Sequence, residues 1–313
     1  MKGGFPVIFG TLLAQSRSAT TKRVRPGAFC RPGRGLWRDC LRHTILMTSI
    51  LVDDFKEMLR EQVEYRDLLY QIVKRDLLLR YKQTVMGFGW AVFMPLLNTA
   101  IFSVIFMRVA PLDTGVPYPV FAFCGLWAWN FFASSLKFAV SSLTGNSNLV
   151  TKIYFPREIL PVSSVLVCLV DFVVAGVVMG ALMAYYRIPV GLSLVCLPLI
   201  VLVQLLFTTA VALILAMWNL FFRDIKYLFE VVVVVWMFAT SVVYPVELVG
   251  GRLGLLMRLN PMTPIIEAYR AVLLYDRWPA VGPMVAVSIF SLVFVSCAWL
   301  IFHRSEFNFA ENV

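Results

Sequence analysis

The chain has 313 residues and a formal net charge of +10; 60% of its residues are hydrophobic and only 15% are charged. Mean hydropathy is +0.80. Water-soluble domains carry nearer half apolar and a quarter charged residues, so this composition excludes a soluble enzyme or binding module and calls for a bilayer as solvent.

In chain order, residues 1–46 are rich in Arg, Gly and Pro and show no sustained period. Phe5–Ala14 is too short and interrupted for a signal peptide. The segment reads either as a disordered basic extension or as sequence upstream of a true start at Met47, where "MTSILVDDFKEML" opens a regular helical pattern. Residues 1–84 hold 16 Lys/Arg against 8 Asp/Glu, which is +8 of the total +10. With no nucleic-acid-binding motif in this basic head, nucleic acid is not an expected partner, and attraction to anionic lipid is the simpler account.

Residues 47–84 form an expected cytoplasmic amphipathic segment. From Glu61 to Lys82 the spacing predicts a helix with Tyr65, Leu68, Leu69, Ile72, Val73 and Leu79 on one face and Asp67, Gln71, Lys74 and Lys82 on the other. Asp76 and Arg80 interrupt the apolar stripe. A basic amphipathic helix abutting a span is expected to lie in the plane of the inner leaflet.

Six apolar runs then fill an expected permease domain, residues 85–302, with a cytoplasmic tail at 303–313. They are Met86–Val109, Val120–Val140, Leu160–Tyr186, Leu192–Phe222, Tyr227–Tyr244 and Val281–Phe302, each near the ~20 residues that span hydrocarbon as a helix. Cys124, Cys168, Cys196 and Cys297 fall singly inside these runs and read as small packing residues. The only histidines are His43 and His303, so neither a His-based catalytic centre nor a metal site is expected. Lys and Arg near the span ends divide ten against six in favour of both termini being cytoplasmic.

Between spans two and three, "NSNLVTKIYFPREILPVS" sets Lys152, Arg157 and Glu158 around Phe155-Pro156. Asp171 falls about 11 residues into the third span, where an acid is costly and needs a partner; a structural hydrogen bond to a neighbouring helix is favoured over a proton relay. After the fifth run, Leu253–Leu259 and Ile265–Leu274 read as two short helices broken by "NPMTP". Such irregular backbone is tolerated at membrane depth only when buried in protein or lining a water-filled cavity, so a re-entrant pair dipping from the outer face is expected.

The segments "RDLLLRYKQTVMGFGWAVFMPLL", "FCGLWAWNFFASSL", "NSNLVTKIYFPREILPVS", "NLFFRDIKYL" and "NPMTPIIEAYRAVLL", in this order, resemble type-2 ABC exporter permeases of the polysaccharide-exporting branch (O-antigen, capsule, teichoic acid). The resemblance covers about Glu61 to Phe302. It implies an all-α fold of six membrane helices with an N-terminal interface helix, resident in the bacterial cytoplasmic membrane. It also implies a homodimer joined to two copies of a separate cytoplasmic ATPase. The chain has no GxxxxGK[ST] loop to cradle phosphate, so ATP and Mg are expected on that partner and no cofactor on this chain. By the same resemblance, Lys152, Phe155, Pro156, Arg157 and Glu158 form the segment that couples to the ATPase, and the interface helix is about Glu61–Lys82.

A lipid-linked sugar polymer cannot cross hydrocarbon unaided, because each unpartnered hydroxyl costs several kcal/mol. Aromatic faces let sugars slide without strong stops, which makes Trp90, Phe93, Phe102, Phe106, Trp127, Trp129, Phe131 and Phe132 the channel-lining candidates. The carrier's pyrophosphate wants cationic donors; Arg80, Lys82 and Lys137 are candidates, with headgroup snorkelling the competing role. Asn260, Pro261, Pro264, Glu267 and Arg270 are expected to shape an outer gate. Competing readings are a type-2 permease for a drug or small lipophile, which shares the architecture, and a polyprenyl-phosphate sugar enzyme, for which the scattered Asp171, Asp224 and Glu230 offer no clustered site.

Overall fold

A computed structural model describes residues 60, 63–82, 87, 89–109, 114–152, 155–306 and 309. The basic extension and the Met47 alternative lie outside them. Every regular element among the described residues is helical. In order they are α1 Arg66–Tyr81, α2 Gly89–Val104, α3 Tyr118–Val140, α4 Ser142–Gly145, α5 Ser147–Lys152, α6 Ile159–Tyr185, α7 Leu197–Phe221, α8 Ile225–Phe238, α9 Gly251–Leu259, α10 Met262–Leu273 and α11 Val281–Ser305. A π turn, Ile105–Val109, continues α2, and a 3-10 turn, Leu192–Cys196, leads into α7.

Five stretches are long and apolar enough to cross a membrane: Gly89–Arg108, Tyr118–Val140, Ile159–Tyr185, Leu192–Phe221 and Val281–Ser305. They coincide with five of the six predicted runs, and the chain is a multi-pass membrane protein. The run predicted at Tyr227–Tyr244 differs. Helix α8 ends at Phe238 after 14 residues, about 21 Å at 1.5 Å per residue, against a hydrocarbon core of about 30 Å. The apolar sequence continues, but the backbone leaves the helix at Ala239 and turns into the bundle, where Thr240, Ser241, Val242 and Val243 are buried. Side chains satisfy the irregular carbonyls there. Tyr118 Oη donates to the Val243 carbonyl at 2.8 Å, and an Arg270 Nη donates to that of Val242 at 2.6 Å. Periodicity cannot reveal such a stop, because its cause is tertiary.

Helix α3 is the axis of the bundle. Pro119 sits in its first turn, where a missing N–H costs nothing. Nearly its whole length is buried, and it packs against α2, α6, α7, α8 and α10. Two amides of α7 fasten it. Gln204 Nε2 donates to the Ala128 carbonyl at 2.7 Å while its Oε1 accepts from Tyr269 Oη at 2.7 Å, and Asn219 Nδ2 donates to the Val140 carbonyl at 2.8 Å. Interhelical bonds of this kind average about 0.6 kcal/mol in lipid and reach about 1.7 kcal/mol.

Helix α1 packs along the first half of α6. Ile72 is buried with Leu143, Val150, Phe155, Ile159 and Leu160, and Tyr65, Leu68 and Leu69 rest on that cluster. Of the residues predicted to share one face, these four meet the bundle. Leu79 is 73% exposed, and the positions that broke the apolar stripe, Asp76 and Arg80, turn toward the protein. Arg75 pairs with Asp76 at 2.9 Å and donates to Asn146 Oδ1 at 3.0 Å, which ties α1 to the segment joining α4 and α5.

Gly125 permits the close approach of α3 to the segment after α8. A Cβ at this position would lie 2.1 Å from the Val242 carbonyl oxygen and 2.7 Å from an Arg270 nitrogen. Alanine there would gain at most about 1 kcal/mol of helix propensity, against roughly 1–3 kcal/mol for overpacking a contact with rigid backbone. Gly125→Ala should therefore lower the unfolding temperature in detergent, while Gly180→Ala, with nothing within 4 Å of its Cβ, should leave it unchanged or raised. Equal melting of the two variants would show that the α3 contact tolerates a methyl group.

Candidate functional site

A half-open cavity of about 390 Å³ lies where the end of α1 meets α2, α3 and α6, within the roughly 300–1,000 Å³ of ordinary ligand pockets. Its polar groups are Arg80, Tyr81, Asn98, Asn130, Ser134 and Asp171. Its aromatic walls are Trp90, Trp127, Phe131 and Phe172.

Asp171 is the thirteenth residue of α6, about 18 Å along the helix from Ile159. It accepts hydrogen bonds from Arg80 and from the Tyr81 hydroxyl, both on the last turn of α1. The Arg80 and Asp171 side chains retain 20% and 22% exposure, so the pair is partly wetted by the cavity. Arg80 also places its guanidinium 3.8 Å from the centre of the Phe138 ring. Burial opposes the Arg80 charge, but the fields of Cys168 and Asp171 hold its pKa above the ordinary value; Asp171 is the partner that counts, since Cys168 is a buried thiol. Burial, then the bond to Asp171, raises the Tyr81 phenol above its ordinary value.

The aromatic wall is held from behind. Trp127 stacks on Phe172 at 4.1 Å with the rings parallel, and its indole N–H donates to the Phe172 carbonyl at 2.8 Å. Tyr269 of α10 sets its edge against Trp127 at 5.5 Å and against Phe172 at 6.2 Å. Gly176 leaves room for the indole, since a Cβ there would meet Trp127 at 3.0 Å.

The sequence-predicted residues divide accordingly. Of the channel candidates, Trp90, Trp127 and Phe131 line the cavity. Phe93 is exposed beside Trp90, Phe106 packs on Tyr118, and Phe102 stacks on Phe106. Trp129 and Phe132 are buried against Trp236, with Phe132 also stacked on Phe207. Of the three cations, Arg80 belongs to the cavity and is engaged by Asp171, whereas Lys82 and Lys137 are exposed beyond its lining.

In the coupling segment Lys152 is exposed, Phe155, Pro156 and Glu158 are buried, and Arg157 donates its backbone N–H to Glu306 at 3.2 Å. Among the gate residues, Asn260 fixes the turn between α9 and α10. Its Oδ1 accepts from Trp236 Nε1 at 3.2 Å and from the Met262 N–H at 3.1 Å, and its Nδ2 reaches Thr240 Oγ1 at 2.7 Å. Pro261 and Pro264 flank the start of α10, Glu267 is exposed, and Arg270 is buried with its guanidinium 3.8 Å from the Phe121 ring centre. Sequence reasoning missed Tyr81, Asn98, Asn130, Phe172, Gln204 and Tyr269. Only Tyr81 carried a signal, its place beside Arg80.

Five long apolar helices, three of which wall a half-open cavity of aromatic and polar groups together with α1, are the architecture expected of a membrane permease. The chain belongs to the ABC-2 type transporter family, which it matches over residues 67–274. It is therefore a transporter subunit rather than an enzyme, and membership implies association with an ATP-binding subunit. It is 34% identical over 260 residues to an O-antigen export system permease protein of Myxococcus xanthus, covering 82% of this chain and 99% of that one. An O-antigen export system permease protein of Klebsiella pneumoniae is 29% identical over 248 residues, covering 78% and 94%.

Because the Arg80–Asp171 pair is partly wetted, its energy is kept at the modest end of buried pairs. Arg80→Ala and Asp171→Asn should each destabilise the protein by about 1–3 kcal/mol. The double variant should lose less than the sum, by about 0.5–3 kcal/mol. A double-mutant cycle on unfolding in detergent measures this, and strictly additive losses would show that the two side chains are energetically independent.

Proposed function

We propose that this chain is the permease of an ABC exporter that moves a lipid-linked, O-antigen-like polysaccharide across the bacterial inner membrane. The observation that carries this reading is similarity over 99% of the length of a relative named as an O-antigen export permease. The working unit is a homodimer with two copies of a cytoplasmic ATPase, which binds ATP and Mg, while this chain binds no cofactor. Both termini are cytoplasmic, in keeping with the Lys/Arg bias. The six crossings comprise the five long spans and α8 with the buried segment after it, and α9–α10 form the re-entrant pair.

The cavity suits such a substrate. Aromatic faces and the amides of Asn98 and Asn130 give sugars contact without a deep well, and a partly wetted Arg80 can exchange one oxyanion, Asp171, for a phosphate oxygen. Lys82 and Lys137 extend the positive field around it. On the cytoplasmic side, exposed Lys152 on α5 meets the ATPase, and Phe155, Pro156, Arg157 and Glu158 transmit the load by anchoring α5 to the bundle. Asn260, Pro261, Pro264, Glu267 and Arg270 set the outer gate.

Co-purification with the ATPase encoded beside this gene, followed by deletion and a glycan blot, tests the reading. The expected result is a stable two-plus-two complex and lipid-linked polymer accumulating inside the deletion strain. A stable complex with normal surface glycan would instead indicate a small-molecule exporter. Lys152→Glu should reduce recovery of the ATPase while leaving the yield of the permease unchanged; full recovery would remove α5 from the interface.

A further inference from the structure

At the end of the bundle away from α10, Glu158 of the coupling segment converges with two groups that the transport reading leaves unused. Glu158, the residue before α6, is fully buried. His303 lies on the last turn of α11, and Glu306 follows one turn later. His303 Nδ1 is 3.9 Å from Glu158 Oε1 and 3.8 Å from Glu306 Oε2. One donor atom from each residue lies within 4.8 Å of the other two.

The surrounding bonds leave this trio under-satisfied. Trp299 Nε1 donates to Glu158 Oε1 at 3.2 Å, and the Arg157 N–H donates to Glu306 Oε1 at 3.2 Å. Those contacts orient each carboxylate and occupy one oxygen of each. Glu158 Oε2 and His303 Nδ1 are both buried without a hydrogen-bond partner. A buried carboxylate oxygen with nothing to accept from is costly, by about 1–3 kcal/mol or more for a charged group. The same lone pair is a metal ligand when a cation is present.

We infer that Glu158, His303 and Glu306 form a binding site for a divalent transition-metal ion, with zinc the best fit. Two carboxylates and one imidazole supply three ligands of the O and N type that zinc accepts, and a fourth position is left for water. Zinc bonds of about 2.0–2.2 Å put tetrahedral ligands about 3.4 Å apart. The donor atoms here all lie within 4.8 Å of one another, with His303 Nδ1 3.9 Å from Glu158 Oε1 and 3.8 Å from Glu306 Oε2, so they close by roughly an ångström or less. A small rotation of the Glu158 carboxylate brings its unpartnered Oε2 to the ion. The neighbours are already in outer-shell roles, Trp299 on Glu158 and Arg157 on Glu306, where such partners orient ligands and tune affinity. The bound ion would rivet the start of α6, directly after the α5 segment, to the end of α11. It would add coordination to the Arg157–Glu306 contact and the apolar packing that already join these ends.

The test uses the purified full-length protein in detergent, stripped with EDTA and then exposed to zinc chloride or, separately, magnesium chloride. The wild type is expected to retain about one zinc per chain through gel filtration, by elemental analysis, and to melt higher with zinc but not with magnesium. His303→Gln and Glu306→Gln keep side-chain size at partly exposed positions. Each should cost more than the ~10–100-fold in affinity that loss of an outer-shell partner costs, with an unchanged gel-filtration profile. Zinc retained equally by wild type and both variants, or by none, would overturn the site. Neither readout depends on what the transporter carries.

Discussion

A carboxylate halfway along a spanning helix must find a cation inside the protein, and here the cation comes from a helix that does not span. Asp171 fixes the geometry of α1. Arg80 and Tyr81 reach it only if α1 lies along the first half of α6 and ends at the level of the cavity, and the stripe of Tyr65, Leu68, Leu69 and Ile72 buries against the bundle in that one placement. The pairing also explains why α1 is imperfectly amphipathic. Position 80 would carry an apolar residue if packing were the only demand. It carries Arg because a neutral residue would leave Asp171 unpaired beside an aromatic wall, where a lone charge is far costlier than a broken stripe. The pair stays partly wetted, so this anchor also forms the polar floor of the cavity.

The same constraint applies to backbone, and it governs the opposite end of the bundle. The segment after α8 leaves the helix in apolar surroundings, where exposed carbonyls are not tolerated. Tyr118 and Arg270 answer two of them, and Gly125 provides the space. A buried arginine spent on one carbonyl and one aromatic ring would be extravagant in a soluble domain, where water could take the carbonyl. In a bilayer it allows a reversal and the α9–α10 pair to follow the 14-residue α8 without a lipid-exposed polar gap.

These two demands also mark the limit of what the sequence discloses. The long apolar runs and the short helices around "NPMTP" were legible because composition and helical period act locally. The end of α8 was not, since the run Val231–Val243 stays apolar through Ala239 and the reason to stop lies in Tyr118 and Arg270, distant in the chain. Asp171 announced itself by its cost, while its partners did not, because α1 precedes it by about 90 positions. Aromatic identity was the weakest guide. Trp127 and Trp129 look alike on the page, yet one walls the cavity and the other is buried against Trp236. Two positions on a helix differ by about 200° of rotation, so only neighbouring helices decide which face each meets. His303 looked isolated for a related reason, since Glu158 becomes its neighbour only when α11 returns to the start of α6, whereas Glu306 lies one turn further along the chain.

Taken together, the contacts make the cavity a junction between the two ends. From one side, Arg75 on α1 holds Asn146 between α4 and α5, so a displacement of α5 pulls on α1, whose last turn carries Arg80. From the other, Tyr269 on α10 supports Trp127 and Phe172, and the next residue, Arg270, holds the segment after α8. Asp171 and Phe172 are adjacent in sequence, one facing α1 and the other facing α10. A rotation of α6 about its axis would move both at once, releasing the ion pair as it withdraws the aromatic wall. The joint is short, packed and satisfied at both ends, so a second arrangement of α6 has to replace both sets of partners together rather than one at a time.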